Sequence, residues 1–345
     1  VVYTPHEPQK YEKVAATAAT LLEANLVVPT FFQHESADNF KGGLNDAYSI
    51  TVPGVLPARK YGWRNNRSAP IVFDTYAERK VTVNFGAHPY SAVELTDEQK
   101  DFDLGGSFGR LLGAQVDAIR RQLENESVGV IENAPFEVTV TAGSGAGIRP
   151  VARAARAALN RLHIPGGERV LLLGTDWEEK ALADETLALA SAVGDNRALG
   201  ALEEAVIGRL YGLTVVVSQE IPADAAYAFV RSGFVFISGM PSAPASVPVS
   251  AAAATGSPLN LGMRWVQDYD LDHYTDRSAF DLYAGFRYVD DPIVMVDESN
   301  NGVVSEDNHF VRAIEIVEEG SGETVATTTS DEEVAEFSGI TLAGS

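Results

Sequence analysis

Apolar residues at Phe108, Leu111, Leu112, Val116, Ile119 and Leu123 recur at spacings of three and four, which line one stripe of an α-helix. The opposite face carries Arg110, Asp117, Arg120, Arg121 and Glu124. The stretch 105–130 therefore predicts a long amphipathic helix, a rod of roughly 36 Å at 1.5 Å per residue. Globular helices average about three turns. A rod of this length needs a broad surface, supplied by the rest of the chain or by a neighbouring molecule.

The remaining pattern is arranged around that helix. Residues 1–43 begin polar, with Pro5 and Pro8, then carry a helical patch at Val14–Ala24 and the segment LVVPTFF, where Pro29 blocks a continuous helix. This reads as an arm that borrows some of its apolar contacts. Residues 44–88 read as a long two-stranded excursion. Weak alternation at Tyr48–Val52 leads into GVLPARKYGWRNNRSAP, dense in loop signals, and strands return at Ile71–Phe73 and Lys80–Phe85, the latter with Val81, Val83 and Phe85 on one face. Thr96-Asp97-Glu98-Gln99 fits a capping box for a short helix to about Leu104, and Gly105–Gly106 breaks it before the long helix. Strands are expected at Phe136–Val140, Arg169–Leu173, Leu213–Val217, Ala225–Ser238, Met263–Tyr269, Phe280–Val289 and His309–Val317. Helices are expected at Ile148–Leu162, Glu178–Ala192 and Leu202–Leu210. Residues 241–259, rich in Pro, Ala and Ser, read as a flexible loop. The stretch after Glu318 reads as an acidic, Ser/Thr-rich tail, only partly ordered.

With 345 residues, 45% hydrophobic and 21% charged, the chain has the composition of a folded protein with room for two domains. It has no cysteine, so disulfides and thiolate metal sites are out. No apolar run is long enough for a membrane-spanning helix, and the N-terminus lacks the basic-then-apolar order of a signal peptide. The formal net charge of −22 argues against nucleic-acid binding as the main task, because neutralising phosphates needs clustered Lys and Arg. It suits equally a protein that sits near nucleic acid without adhering, and plain solubility. Within this acidic chain Arg59, Lys60, Arg64 and Arg67 form a local basic cluster on the excursion. That cluster reads either as a solvated loop or as an arm that docks on an acidic surface of another copy.

Gly105-Gly106-Ser107-Phe108-Gly109 matches the nucleophile elbow G-x-S-x-G. An elbow requires a buried strand just before it, and TDEQKDFDL cannot be one. Ser107 is therefore read as a helix-start residue. FEVTVTAGSGAGIRP has the strand–glycine turn–helix context of a dinucleotide site, but Ile148 stands where the third glycine belongs and Pro150 occupies the first turn, so a glycine-rich hinge is the preferred reading. Asp268, Asp270 and Asp272 copy the start of a calcium loop, yet His273 replaces the turn glycine and Ala279 the bidentate glutamate, so a solvated turn is the default. His6, His34, His88, His163 and His309 show no ligand spacing, and Trp63 and Trp265 read as packing residues. No catalytic, cofactor or metal site is expected.

Ala205–Pro222, AVIGRLYGLTVVVSQEIP, is similar to a pattern of glycine, basic residue, glycine, apolar strand and Pro-bearing turn found in the major capsid proteins of tailed bacteriophages. AYAFVRSGFVFISGMPSAP and GMRWVQDYDLDHYTDRSAFDLYAGFRYVDDP follow the family's later strands, and LLEANLVVPTFF precedes the excursion as in its N-terminal half. The chain thus resembles a phage capsid protein of α+β class with the Johnson fold, which is shared with herpesvirus floor domains and encapsulins. The resemblance implies an N-terminal arm (1–43), an extended β-hairpin loop (44–88) and a peripheral domain (89–137, with the spine helix at 105–130). It further implies an axial domain (138–259) and a return to the peripheral domain (260–317), leaving an unmatched acidic tail (318–345). It implies a non-enzymatic shell protein that forms hexamers and pentamers of an icosahedral capsid around double-stranded DNA, located in the virion and assembled in the host cytoplasm. Its partners would be other copies of itself, portal and scaffolding proteins and a decoration protein, with no cofactor and no membrane. The scaffold would be separate or already cleaved. Arg59, Lys60, Arg64 and Arg67 at the loop tip are then expected to meet carboxylates of a neighbouring copy, with Asp117, Glu124 and Glu126 on the spine helix as first candidates. An encapsulin-type compartment and, more remotely, a serine hydrolase built on Ser107 are the alternatives.

Overall fold

The computed structural model describes residues 11–36, 47–52, 56–64, 67, 70–76, 78–86, 88–96, 108–184, 206–247, 249–254, 259, 261–296, 302–305 and 307–343. In chain order the first elements are α1 (Tyr11–Asn25), β1 (Gln33–Ser36), β2 (Ala47–Val52), β3 (Arg79–Asn84), β4 (Tyr90–Thr96) and α2 (Phe108–Glu132). Then come β5 (Val138–Ala142), α3 (Ile148–Arg161), β6 (Arg169–Leu173), α4 (Thr175–Leu182), β7 (Val206–Leu210), β8 (Leu213–Val217), β9 (Ala226–Val230), β10 (Phe234–Gly239) and β11 (Val249–Ala254). The chain closes with β12 (Gly262–Asp270), β13 (Thr275–Asp281), β14 (Tyr283–Tyr288), β15 (Val294–Val296), β16 (Gly302–Val304), β17 (Ala313–Glu318), β18 (Val325–Thr329), α5 (Glu332–Ser338) and β19 (Thr341–Leu342). The expected capping-box helix and Ser107 lie outside the described residues.

Two compact units result. The first gathers Val1–Tyr48, Thr82–Ile131 and Val235–Arg287, and the second Ser49–Val81, Glu132–Phe234 and Tyr288–Ser345. In the first unit, β11-β12-β13-β4 form an antiparallel sheet. The long helix α2 buries Val116, Ile119, Leu123, Val128 and Ile131 along its apolar stripe. A polar network ties it to the sheet. Buried Gln115 donates to Ser91 O at 3.0 Å and Ser278 O at 2.9 Å, accepts from Ser278 Oγ at 3.2 Å, and Trp265 Nε1 donates to that same hydroxyl at 2.9 Å. Every polar atom of the cluster has a partner, so its burial fixes the helix register instead of destabilising the core.

The N-terminal segment departs from expectation. Ala15, Ala18, Ala19 and Leu22 of α1 are buried, and the helix lies on β11 and β12. Phe32 meets Phe286 edge-on at 6.2 Å, and β1 pairs in parallel with β10. Most of the apolar side chains of residues 14–36 are therefore covered within their own subunit, with Leu21 left 46% exposed. The same packing explains β11: an Ala/Ser run that reads as a flexible loop is a strand whose small side chains let α1 approach.

The second unit is built on one mixed sheet of eight strands, β19-β18-β5-β17-β9-β6-β8-β7. Leu171 and Leu173 of β6 and Ala226 and Ala228 of β9 join the cluster under α3, which buries Ile148, Val151, Ala155 and Leu159. Alternate residues face the other way, where Phe136 stacks on Tyr227 at 5.5 Å and Phe229, Phe234 and Phe310 meet edge to face at 5.3 and 5.6 Å. Both faces are covered, so β9 and, after Arg169, β6 are apolar without alternation. β7 replaces the helix expected at Leu202–Leu210. It pairs with β8 through Tyr211 and Gly212, both at positive φ (50° and 83°), the backbone of a tight hairpin turn.

The largest departures are at the C-terminal end. β17 lies inside the eight-stranded sheet, between β5 and β9, and the chain changes unit at Arg287/Tyr288, where 260–317 was expected to stay together. An earlier change falls at Phe234/Val235, where the boundary was expected near 259. The stretch after Glu318 is β18, α5 and β19, with Val334 and Ile340 buried. Backbone pairing to β5 and a cap, Asp331 Oδ1 accepting from Val334 N–H at 3.0 Å, order a segment that looks merely polar in the sequence.

Candidate functional site

The structural features left over after the two cores are satisfied are surface elements, and the excursion between β2 and β3 is the most prominent. It is anchored by the β2–β3 ladder, with Val81 and Val83 buried. Beyond the ladder Ile71–Phe73 is irregular and exposed rather than strand. The loop limbs are tied by a two-point ion pair: Arg59 donates to Asp74 at 2.7 and 3.2 Å. The guanidinium hydrogen bond holds the Asp74 carboxyl below the usual carboxylate range. Arg64 and Arg67 sit at φ 55° and 53°, in the left-handed region that costs an L-residue roughly 1–2 kcal/mol.

The loop's apolar side chains turn outward. Trp63 and Phe73 are each 90% exposed, and Tyr61, Ile71 and Val72 are exposed as well. The expectation that both tryptophans pack thus holds for Trp265 (4% exposed) and fails for Trp63. Large apolar groups scattered singly are ordinary on a protein surface; here five fall within residues 61–73 of one excursion.

The residues singled out from the sequence separate into three groups. Lys60, Arg64 and Arg67 are exposed on the loop, while Arg59 is committed to Asp74. On α2, Asp117 accepts from Arg120 at 2.9 Å and Arg121 at 2.8 Å, and the Arg120 hydrogen bond keeps its carboxyl below the ordinary range. Glu126 accepts from Gln122 at 2.9 Å. Glu124 is corrected outright. It is 1% exposed and its carboxylate accepts from the backbone N–H of Val27 and, at 3.1 Å, of Val28. It clamps the start of the short 3-10 turn Val28–Phe31 after α1, whose first backbone N–H groups have no acceptor within the turn, and so is spent inside its own chain. Helical periodicity placed it on the polar face but could not show what covers that face.

The other candidate motifs resolve structurally. Gly143 N–H donates to Thr324 O, Ser144 N–H to Gly320 O and Gly145 N–H to Gly322 O, at 2.8, 3.2 and 2.8 Å. The amides that would cradle a pyrophosphate are thus spent on the C-terminal chain. A Cβ on Gly143 would lie 2.4 Å from Gly322 O, so close backbone approach is what these glycines supply. In the β12–β13 turn, Asp270 accepts from Asp272 N–H and from His273 Nδ1, each at 2.9 Å, and pairs with Arg277; the turn is a self-satisfied hairpin end. Among the described residues, no helix is long and apolar enough to cross a membrane.

Taken together, an arm-and-helix unit, a buried eight-stranded sheet and an outward-facing loop make an α+β shell architecture, the phage capsid (Johnson) fold. A profile of the phage capsid protein family matches residues 90–289, more than half of the chain, and the chain belongs to that family. The fold is similar to the solved structure from Mycobacterium phage Che8, at 15% identity and TM-score 0.57 over 86% of this chain and 93% of that one. The mature capsid of bacteriophage PhiM1 gives 10% identity and TM-score 0.54 over 86% and 88%. The capsid of cyanophage P-SCSP1u gives 11% and 0.51 over 84% and 87%. A comparison with curated proteins finds no match.

Proposed function

We propose that this chain is the major shell subunit of a tailed-phage capsid, assembling into the hexamers and pentamers of an icosahedral shell that encloses double-stranded DNA. The unit carrying α2 would be the peripheral domain and the unit built on the eight-stranded sheet the axial domain. Portal, scaffolding and decoration proteins would be its partners in the particle. The observation that carries the reading is the loop. In a chain of the phage capsid family, Trp63 and Phe73 lie almost fully exposed on a long excursion whose own limbs are braced by Arg59 and Asp74. Burying a large apolar side chain gains about 1.5–3 kcal/mol. A shell repeats that contact in every copy. Lys60, Arg64 and Arg67 would steer the loop toward acidic surface, with Asp117 and Glu126 as candidate partners on a neighbour. The net charge of −22 fits an enclosure that does not hold its DNA by adhesion.

Electron microscopy of the purified protein tests the reading. Closed shells of uniform size with five- and sixfold capsomers are expected. Shells loaded with protein cargo and formed without any DNA-packaging particle would point to an encapsulin-type compartment. Dispersed subunits at every salt and protein concentration would contradict it.

A further inference from the structure

Three chain segments of the second unit converge on His309, whose side chain is 4% exposed. Glu137 comes from the approach to β5, and Asp331 and Glu333 from the start of α5. Imidazole Nε2 lies 2.9 Å from Glu333 Oε2, while Nδ1 lies 3.0 Å from Glu137 Oε2 and 3.8 Å from Asp331 Oδ2. The second oxygen of each of the latter two carboxylates is committed elsewhere. Glu137 Oε1 accepts from Phe310 N–H at 2.8 Å, and Asp331 Oδ1 accepts from Val334 N–H at 3.0 Å. Thr329 Oγ1 and Ser330 N–H both donate to Glu137 O, at 2.7 and 3.0 Å, so the three segments are cross-linked around the cluster.

The arrangement has a chemical consequence. An imidazole that donates Nε2–H to Glu333 turns its Nδ1 lone pair toward two carboxylate oxygens. Three electron-rich atoms can share that space only around something positive. A histidine ligand whose far nitrogen is held by a carboxylate is the usual supporting arrangement of a bound metal. With bonds of about 2.0–2.1 Å to nitrogen and about 2.0–2.2 Å to oxygen, a tetrahedral zinc-type ion sets nitrogen–oxygen edges of roughly 3.3–3.5 Å. The observed 3.0 and 3.8 Å bracket that value. Glu137, His309 and Asp331 supply three ligand atoms within 4.8 Å of one another, one short of a tetrahedral set.

We infer that Glu137, His309 and Asp331 form a binding site for a zinc-type divalent cation that locks the C-terminal strand–helix segment onto β5. A proton is the competing occupant. Burial draws the His309 pKa down, but Glu333, Glu137 and Asp331 return it above its ordinary value, and burial pushes the Glu137 carboxyl up. The two occupants differ in their response to added metal.

The experiment is titration of the metal-free full chain, unassembled, with zinc chloride at neutral pH, followed by calorimetry and by thermal melting. One ion per chain and a saturable rise in Tm are expected. Magnesium should not reproduce them, because this ion prefers six oxygen ligands. Asp331→Asn keeps the helix cap, since asparagine caps as well as aspartate, so the metal-free chain should still fold and melt cooperatively while zinc affinity falls at least tenfold. Zinc uptake absent at ~100-fold excess over protein, or Asp331→Asn binding zinc as tightly as wild type, would overturn the site and leave His309 a protonated ion pair. His309→Gln supplies an independent check: it should abolish the zinc-dependent rise in Tm, and a rise of wild-type size would also overturn the site.

Discussion

Phe229 and Phe73 are the same side chain in opposite circumstances. Phe229 is 1% exposed, set edge-on to Phe234 at 5.3 Å in the second unit's aromatic layer. Phe73 is 90% exposed on a loop whose backbone has no ladder beneath it. The eight-stranded sheet uses its apolar groups to fold one chain. The loop holds its own apart, braced by polar contacts and left-handed backbone, and folding alone leaves them wet. On the proposed reading, this sequence carries two sets of apolar instructions, one read within a chain and one left for a partner.

The comparison can be broken most forcefully in the sheet. Leu171→Ala or Leu173→Ala, at fully buried positions, should lower subunit stability by about 2–5 kcal/mol in denaturant unfolding. A loss under 1 kcal/mol would mean the sheet is not the organising core.

Tyr227 offers a chemical probe of the same layer. Burial, reinforced by Glu132, Glu315 and Asp224, pushes its pKa up to about 12 from 10.0. The unfolded chain therefore loses the proton first as pH rises, and stability contributed by the neutral phenol is present below pH 10 and lost between 10 and 12. Tyr227→Phe should therefore lose less stability than wild type over that range, by roughly 2–3 kcal/mol at most. Equal alkaline slopes for the two proteins would place Tyr227 in water.

In the first unit, Glu124→Ala strips two backbone amides of their acceptor and should cost about 1–3 kcal/mol. Its hydrogen-exchange footprint should centre on Val27 and Val28. A variant as stable as wild type would return Glu124 to the surface where helical periodicity put it.

These residues also show what the chain disclosed before folding. The long helix was legible because its period of 3.6 is sustained over many turns, and α2 spans Phe108–Glu132 against an expected 105–130. β6 was legible because the four consecutive apolar residues Val170–Leu173 have few other homes. β18 was not: VATTT looks like polar tail, and only its pairing with β5 makes it a strand. Nor was the His309 cluster, whose carboxylate partners stand 172 positions before it and 22 and 24 after, beyond any local motif. The basic cluster on the loop was visible, but its outward aromatics were not. Composition marks Trp63 as apolar without saying whether its cover comes from this chain or another.

The smallest expected effect on the subunit is therefore the most informative. Trp63→Ser with Phe73→Ser should change the melting free energy of the unassembled chain by no more than about 0.5 kcal/mol, as for surface positions. The same double variant should fail to form shells in electron microscopy and sedimentation under conditions where wild type closes them. Shells of wild-type yield and size from that variant would contradict the claim that the loop's apolar groups are kept for a neighbouring copy.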